Sequence, residues 1–185
     1  MKPWSIMALT FTNKAAKEMR KRINRLVGGD LAAHLYMGTF HSIFSRILRA
    51  EADHIGFNNN FTIYDESDSR SLLKAIIKEK GFDDKTYKPA AVHAKISMAK
   101  NNLVTPEIYR AEKDYYDRDK HANMPGVGEI YEVYVQRCKQ ANAMDFDDLL
   151  MLTFQLFRDH EEIRQKYSDR FDFILVDEYQ DTNHV

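Results

Sequence analysis

Cysteine is almost absent from this sequence, and long apolar runs are missing from it altogether. The single cysteine, Cys138, has no partner for an internal disulfide, and the seven histidines show no spacing typical of metal ligands. We therefore expect neither a disulfide framework nor a zinc site. No apolar stretch approaches the roughly 20 residues that cross a bilayer, and the first residues lack a signal-peptide core. We expect a cytosolic protein that does not contact a membrane.

Internal repeats and low-complexity tracts are also missing, whereas the material for a core is present. The chain has 185 residues, of which 44% are hydrophobic and 12% aromatic, so it is able to form one or two compact units. The net charge of −1 conceals an asymmetry, because residues 1–27 carry seven basic residues and one acid, whereas residues 141–185 carry eleven acids and four basic residues. This asymmetry suits a polyanion surface beside a cation site, or two segments that lie together and cancel.

The first part of the chain alternates between strand and helix patterns. We predict, in order, a strand at 6–11, a helix from Asn13 that ends at Gly28-Gly29, a short strand at 36–38, and a helix over 40–54. Alternation of this kind predicts an α/β layer with a parallel sheet.

Beyond Gly56 the pattern becomes helical. Helices are predicted over 65–79, 89–101, 127–141 and 146–160, with no strand among them and a long polar loop at 114–126. The apolar run at 171–176, with Ile174-Leu175-Val176 at its end, then returns to the sheet as a strand buried on both faces. The predicted fold class is α/β, a parallel sheet with an inserted all-helical domain.

Two adjacent carboxylates, Asp177 and Glu178, follow that last strand. Ligands of parallel sheets collect at the carboxyl ends of the strands. There, one carboxylate is suited to holding Mg²⁺ and the next to orienting or deprotonating an attacking water. The alternative is an Asp-Glu pair that simply ends a strand and faces solvent.

Polar residues also follow the first two strands. Phe11-Thr12-Asn13-Lys14 offers a helix cap, free backbone N–H groups with a lysine for phosphate, and a ring for stacking on a base. The segment Gly38-Thr39-Phe40-His41-Ser42 repeats this composition. If the two junctions lie side by side, they would form a binding surface for one nucleic-acid strand. The alternative is that both are ordinary capped helices with solvated faces.

A third acidic segment, Asp145-Phe146-Asp147-Asp148, stands at the predicted start of a helix. Acids in a first helical turn interact favourably with the helix dipole, and aspartate is a good N-cap. We favour this structural interpretation over a metal site.

These segments together resemble the UvrD/Rep/PcrA-like superfamily 1 DNA helicases. Residues 9–19 resemble that family's motif Ia, residues 38–42 its motif Ib, and residues 176–183, which end at Asn183, its motif II or Walker B element. The resemblance covers nearly the whole chain. It implies a partial RecA-like (P-loop NTPase) domain 1A, formed by residues 1–55 and 142–185, and a helical insertion, residues 56–141, that includes domain 1B.

The resemblance also implies roles for particular residues. Asp177 would bind Mg²⁺ and the nucleotide, Gln180 would bind the nucleotide, and Glu178 would be catalytic. The DNA-binding residues would be Phe11, Thr12, Asn13, Lys14, Thr39, Phe40 and His41. The implied activity is ATP-dependent translocation on single-stranded DNA, 3′ to 5′, with unwinding at single-strand/duplex junctions.

The 185 residues contain no G-x-x-x-x-G-K-[ST] phosphate loop, which such helicases carry. We therefore expect this chain to be a piece of a helicase that is inactive by itself, with an exposed sheet edge through which it self-associates. Two alternatives are a DNA-binding module that does not hydrolyse ATP and a subunit of a helicase-nuclease complex.

Overall fold

A three-stranded parallel sheet forms the centre of the α/β part of the chain. The computed structural model describes residues 2–182, apart from the side chain of Asp181. The strand order is β2–β1–β5, with β1 (Ile6–Thr10) between β2 (Tyr36–Thr39) and β5 (Phe173–Val176). Ala8 lies opposite Met37 on one side and opposite Leu175 on the other. The middle strand is buried from its second residue onward, as the apolar sequence requires.

Four helices and three 3₁₀ turns accompany this sheet. The helices are α1 (Asn13–Val27), α2 (Gly29–Ala33), α3 (Phe40–Ala50) and α10 (Glu161–Arg170), and the turns are Pro3–Ser5, Ala52–Ile55 and Tyr179–Asp181. Gly28 ends α1 with a φ of 87°, which an L side chain rarely adopts. Ile43, Ile47 and Leu48 on α3 are buried, whereas Leu26 on α1 is exposed.

The remaining elements form a second, mainly helical part. They are β3 (Thr62–Tyr64), α4 (Glu66–Glu79), α5 (Pro89–Asn101), α6 (Pro106–Ala111), α7 (Lys113–His121), α8 (Val127–Gln140), β4 (Ala143–Asp145) and α9 (Phe146–Asp159). The apolar faces of α4, α5, α6 and α8 enclose one core, whose members include Leu73, Ile76, Ile96, Ile130, Tyr131 and Tyr134. In the described residues, no helix is long and apolar enough to be a membrane span.

The chain divides into two compact units. The α/β unit runs to Ile55 and resumes at Leu152, and the helical unit is Gly56–Met151, so that the boundary falls within α9. The sequence analysis placed the start of the second α/β segment at residue 142, ten residues before the boundary in the structure. Residues 142–151 group with the helical unit because β4 pairs with β3, with Ala143 opposite Thr62.

The α/β class with a parallel sheet is confirmed, but three details were wrong. The helical unit is not all-helical, since β3 and β4 form a two-stranded parallel sheet. Residues 114–126 are not a long loop, because α7 occupies much of the segment. The strand β5 is not buried on both faces, since Ile174 is 59% exposed. Each detail depends on partners distant in sequence, which local patterns do not show.

Candidate functional site

The carboxyl ends of the three parallel strands lie at one edge of the sheet. Thr10, the last residue of β1, is in register with Thr39, the last residue of β2, and Leu9 is in register with Val176, the last residue of β5. The segments that follow these strands are therefore neighbours. The structure brings together, at this edge, the three segments that the sequence singled out.

The first junction is a capped helix start with an exposed basic turn. Thr12 is the N-cap of α1, and its hydroxyl accepts a hydrogen bond from the Ala15 N–H at 3.1 Å. Asn13 and Lys14 follow in the first turn, where both are exposed and no acid is present. A helix N-terminus with a nearby lysine favours anions, so this junction is suited to a phosphate group.

The second junction repeats this arrangement and touches the first. The Thr39 hydroxyl is the N-cap of α3 and accepts from the Ser42 N–H at 3.2 Å. The ring of Phe40 lies 5.1 Å, centroid to centroid, from the ring of Phe11, and both side chains are half-buried. His41 follows Phe40 in the first turn of α3 and is half-buried. The two junctions thus meet through the Phe11–Phe40 ring contact, with Thr12 exposed and Thr39 buried.

Asp177 and Glu178 leave the sheet at the same edge. The Asp177 N–H donates to the Leu9 carbonyl at 2.9 Å, which extends the pairing of β5 with β1 by one residue and fixes the backbone of Asp177. Glu178 has a φ of 55°, a left-handed conformation that is uncommon outside glycine and turns the chain into the 3₁₀ turn at Tyr179–Asp181.

The side chains of Asp177, Glu178 and Gln180 are exposed. Carboxylates at a strand end that remain accessible to solvent are able to hold a hydrated Mg²⁺ ion, which prefers oxygen ligands and keeps several waters. Asn183, the last residue of the predicted motif, lies outside the described residues.

A groove of about 510 Å³ runs between α1, β1 and β5 and ends at Asp177. Small side chains such as Ala8 and Ala15 line its floor, while Glu18 and Arg22 form an ion pair with an N–O distance of 3.2 Å beside it. The sequence did not predict this groove. Its only signal is the alanine in the middle of an otherwise bulky strand.

Thr10 is a second feature that sequence reasoning missed. Its side chain is 1% exposed, and its hydroxyl has no hydrogen-bond partner among the described residues. Buried hydroxyls are normally paired, so an unpaired one at the carboxyl end of the central strand marks this edge as unusual. A threonine in a buried strand is ordinary in sequence, which explains why no signal identified it.

Asp145 acts as the helix cap that the sequence predicted for this segment. Its Oδ1 accepts from the Asp148 N–H at 2.9 Å, and Oδ2 of Asp148 accepts from the Asp145 N–H at 3.0 Å, which forms a capping box at the start of α9. The buried Lys100 ammonium of α5 lies 2.7 Å from an oxygen of each carboxylate. The structural interpretation of this acidic segment is confirmed.

The sheet is parallel, and its carboxyl edge carries two capped helix starts and an acidic strand end. This arrangement defines a partial RecA-like domain, a class of nucleotide-binding α/β domain. The chain belongs to the UvrD/REP helicase family, whose N-terminal domain matches residues 1–185.

Its relatives include proteins named ATP-dependent DNA helicase PcrA. That of Leuconostoc citreum is 41% identical over 98% of this chain and 23% of the relative. Those of Staphylococcus epidermidis and Staphylococcus aureus are 44% and 43% identical, each over 98% of this chain and 24% of the relative. The chain thus spans about a quarter of the length of these relatives.

Proposed function

We propose that the whole protein to which this chain belongs is an ATP-dependent DNA helicase. It translocates along single-stranded DNA in the 3′ to 5′ direction and unwinds duplex at single-strand/duplex junctions, in the cytosol. Family membership over the full 185 residues and relatives that are named DNA helicases support this proposal. The rival functions, a non-hydrolysing binding module and a helicase-nuclease subunit, have no specific observation in their favour.

The observation that carries the proposal is the register of the sheet. Because Thr10, Thr39 and Val176 end neighbouring parallel strands, the segments that follow them meet at one edge. In a motor, a change at the nucleotide site has to alter the DNA site, and a rigid element shared by the two sites is a direct way to meet this need. A single sheet edge that carries both sets of residues meets this requirement.

The proposed division of labour follows the chemistry of each group. Asp177 coordinates Mg²⁺, Glu178 orients and deprotonates the attacking water, and Gln180 contacts the nucleotide. On the DNA side, Phe11 and Phe40 stack on bases. The polar side chains of the two junctions contact the phosphates and sugars; they are the hydroxyls of Thr12 and Thr39, the amide of Asn13, the ammonium of Lys14 and the imidazole of His41.

The first test is Glu178→Gln in the whole protein. This substitution removes the base but keeps the size and the hydrogen-bonding oxygen, so ATP hydrolysis should fall by about 10²-fold or more while nucleotide binding persists. DNA-stimulated phosphate release and binding of a fluorescent ATP analogue measure the two effects. Hydrolysis within a few-fold of wild type would remove Glu178 from its proposed role.

Asp172→Asn is the matched control, because Asp172 is an exposed acid that precedes β5 at the opposite end of the strand. It should leave hydrolysis unchanged. We also propose that the 185-residue chain alone does not turn over ATP, since its sequence contains no phosphate loop. Turnover by this chain comparable to that of the whole protein would contradict this.

A further inference from the structure

Two histidines and a glutamate that are distant in sequence converge at the base of the α/β unit. His54 lies in the 3₁₀ turn Ala52–Ile55, His160 is the N-cap residue of α10, and Glu162 lies in the first turn of α10. The Nδ1 atom of His160 is 3.5 Å from Oε1 of Glu162, and the two imidazole rings stand edge to face with centroids 5.1 Å apart. One ligand atom from each of the three side chains lies within 4.8 Å of the others.

These distances approach those of a transition-metal site. Zinc binds imidazole nitrogen and carboxylate oxygen at about 2.0 to 2.2 Å, which places tetrahedral ligand atoms about 3.3 to 3.6 Å apart. The His160–Glu162 separation already has this value. His54 and Glu162 are exposed, so their side chains have room to rotate toward a shared ion.

The backbone that carries these ligands is held in place by a separate set of contacts. Glu51, at the end of α3, is buried and accepts hydrogen bonds from the Lys166 ammonium at 2.6 Å and from the Tyr167 hydroxyl at 2.9 Å. Burial tends to raise the pKa of Glu51, but these two donors outweigh it and hold the pKa below its ordinary value. These contacts hold the segment before His54 against α10, and they do not require a metal ion.

We propose that His54, His160 and Glu162 form a binding site for Zn²⁺, against the expectation from histidine spacing, because the fold brings together ligands that are distant in sequence. Two imidazoles and one carboxylate are the ligand set of an open zinc site, in which water takes the fourth position. Imidazole nitrogen favours Zn²⁺ over Mg²⁺, which prefers oxygen ligands, so this site is chemically distinct from the one proposed at Asp177. A bound ion would join the 3₁₀ turn Ala52–Ile55, the last element before the helical unit, to the first turn of α10.

Titration of the 185-residue chain with ZnCl₂, followed by calorimetry, tests the proposal. We expect one Zn²⁺ per chain, a rise in melting temperature with added Zn²⁺, and a visible absorption spectrum of four-coordinate type when Co²⁺ replaces it. His54→Ala and Glu162→Gln, both at exposed positions, should each weaken Zn²⁺ binding at least tenfold. An excess of Mg²⁺ should not compete.

His121→Ala is the matched control, because His121 is an exposed histidine of the helical unit, and Asp177→Asn separates this site from the nucleotide site. Both variants should bind Zn²⁺ as the wild type does. The proposal fails if the chain binds no Zn²⁺, if the His54 and Glu162 variants retain full affinity, or if Asp177→Asn or His121→Ala weakens binding as much as they do.

Discussion

At the scale of single residues, the ring of Phe11 is both packed against a neighbour and partly exposed. Its ring is half-buried and packs on Phe40, which in turn packs on Phe44 with ring centroids 5.9 Å apart. A ring held by neighbours on one side and open on the other loses little conformational freedom when a base stacks on it. Both properties fit the base stacking that we propose for Phe11.

Phe11→Ala in the whole protein should therefore weaken binding of single-stranded DNA. The expected loss is about 1 to 3 kcal/mol, the usual value of one aromatic–base stack. Fluorescence anisotropy with a labelled oligonucleotide measures it at fixed salt, because phosphate contacts make affinity salt-dependent. Phe173→Ala is the control, since Phe173 is an exposed phenylalanine at the opposite end of the sheet. Equal affinities for the two variants, with both folded, would assign Phe11 to packing alone.

At the scale of elements, the boundaries that local chemistry determines were predictable. The helix α5 runs from Pro89 to Asn101 as predicted, because proline is preorganised for a first helical turn. The helix α1 ends at Gly28, and α4 begins after the capping residue Asp65. In these places the signals lie within a few residues of the boundary.

Elements that depend on distant partners were not predictable in this way. The charged helix α7 buries only Asp119, which accepts hydrogen bonds from the Lys95 ammonium at 2.8 Å and the Tyr109 hydroxyl at 2.9 Å. Strands β3 and β4 have three residues each, too few to show a period of two. The same limit applies to the site: motifs identified Asp177 and Phe11, whereas the contact of Phe11 with Phe40 and the unpaired Thr10 hydroxyl required coordinates.

A buried cluster of three charged side chains links α5 to α9, and the pKa values of its two aspartates shift in opposite directions. Lys100 is 1% exposed between Asp145 and Asp148. Burial opposes its charge, but the two carboxylates raise its pKa well above the ordinary value. Burial also acts on the aspartates: Lys100 outweighs it at Asp145, whose pKa is lowered, whereas at Asp148 burial, with the Asp145 charge, raises the pKa to about 6.

This cluster predicts a pH dependence of stability. The folded-state pKa of Asp148 lies above its unfolded value, so the folded chain binds the extra proton. The stabilisation from that proton is present at low pH and is lost as the pH rises through about 6. When the pH falls from about 7 to about 4.5, the proton on Asp148 should raise the free energy of unfolding of the wild type by on the order of 1 to 3 kcal/mol. Asp148→Asn should lack this increase.

Denaturant unfolding followed by circular dichroism at the two pH values measures this change. Asn keeps an oxygen that is able to accept from the Asp145 N–H, so the capping box persists. The control is Asp68→Asn, which alters the corresponding residue of the capping box of α4 at an exposed position. It should keep the wild-type response. An identical pH response of wild type and Asp148→Asn would contradict the argument.

At the scale of the whole molecule, β5 presents an apolar edge. It pairs with β1 on one side, and the described residues provide no strand on its other side. Ile174 and Leu175 are 59% and 58% exposed. Unpaired strand edges with apolar side chains are templates for pairing with another chain.

We therefore expect the isolated 185-residue chain to self-associate through β5. Sedimentation across a concentration series should show dimers or larger species, and Ile174→Lys should shift the population toward monomer because a charge on an edge strand opposes pairing. Ile108→Lys is the control, since Ile108 is an exposed isoleucine on α6. A monomeric wild type at all concentrations would show that this edge does not pair.

The pairing of β1 with β5 also has a consequence for the order in which the chain acquires its structure. Ile6 pairs with Phe173, so one side of the central strand stays unpaired until residues beyond the helical unit have been synthesised. The helical unit, by contrast, is the continuous segment Gly56–Met151, and its contacts are complete before β5 is synthesised. Since contacts distant in sequence form slowly, nascent chains should protect the amides of α4 and α8 from hydrogen exchange before those of β1.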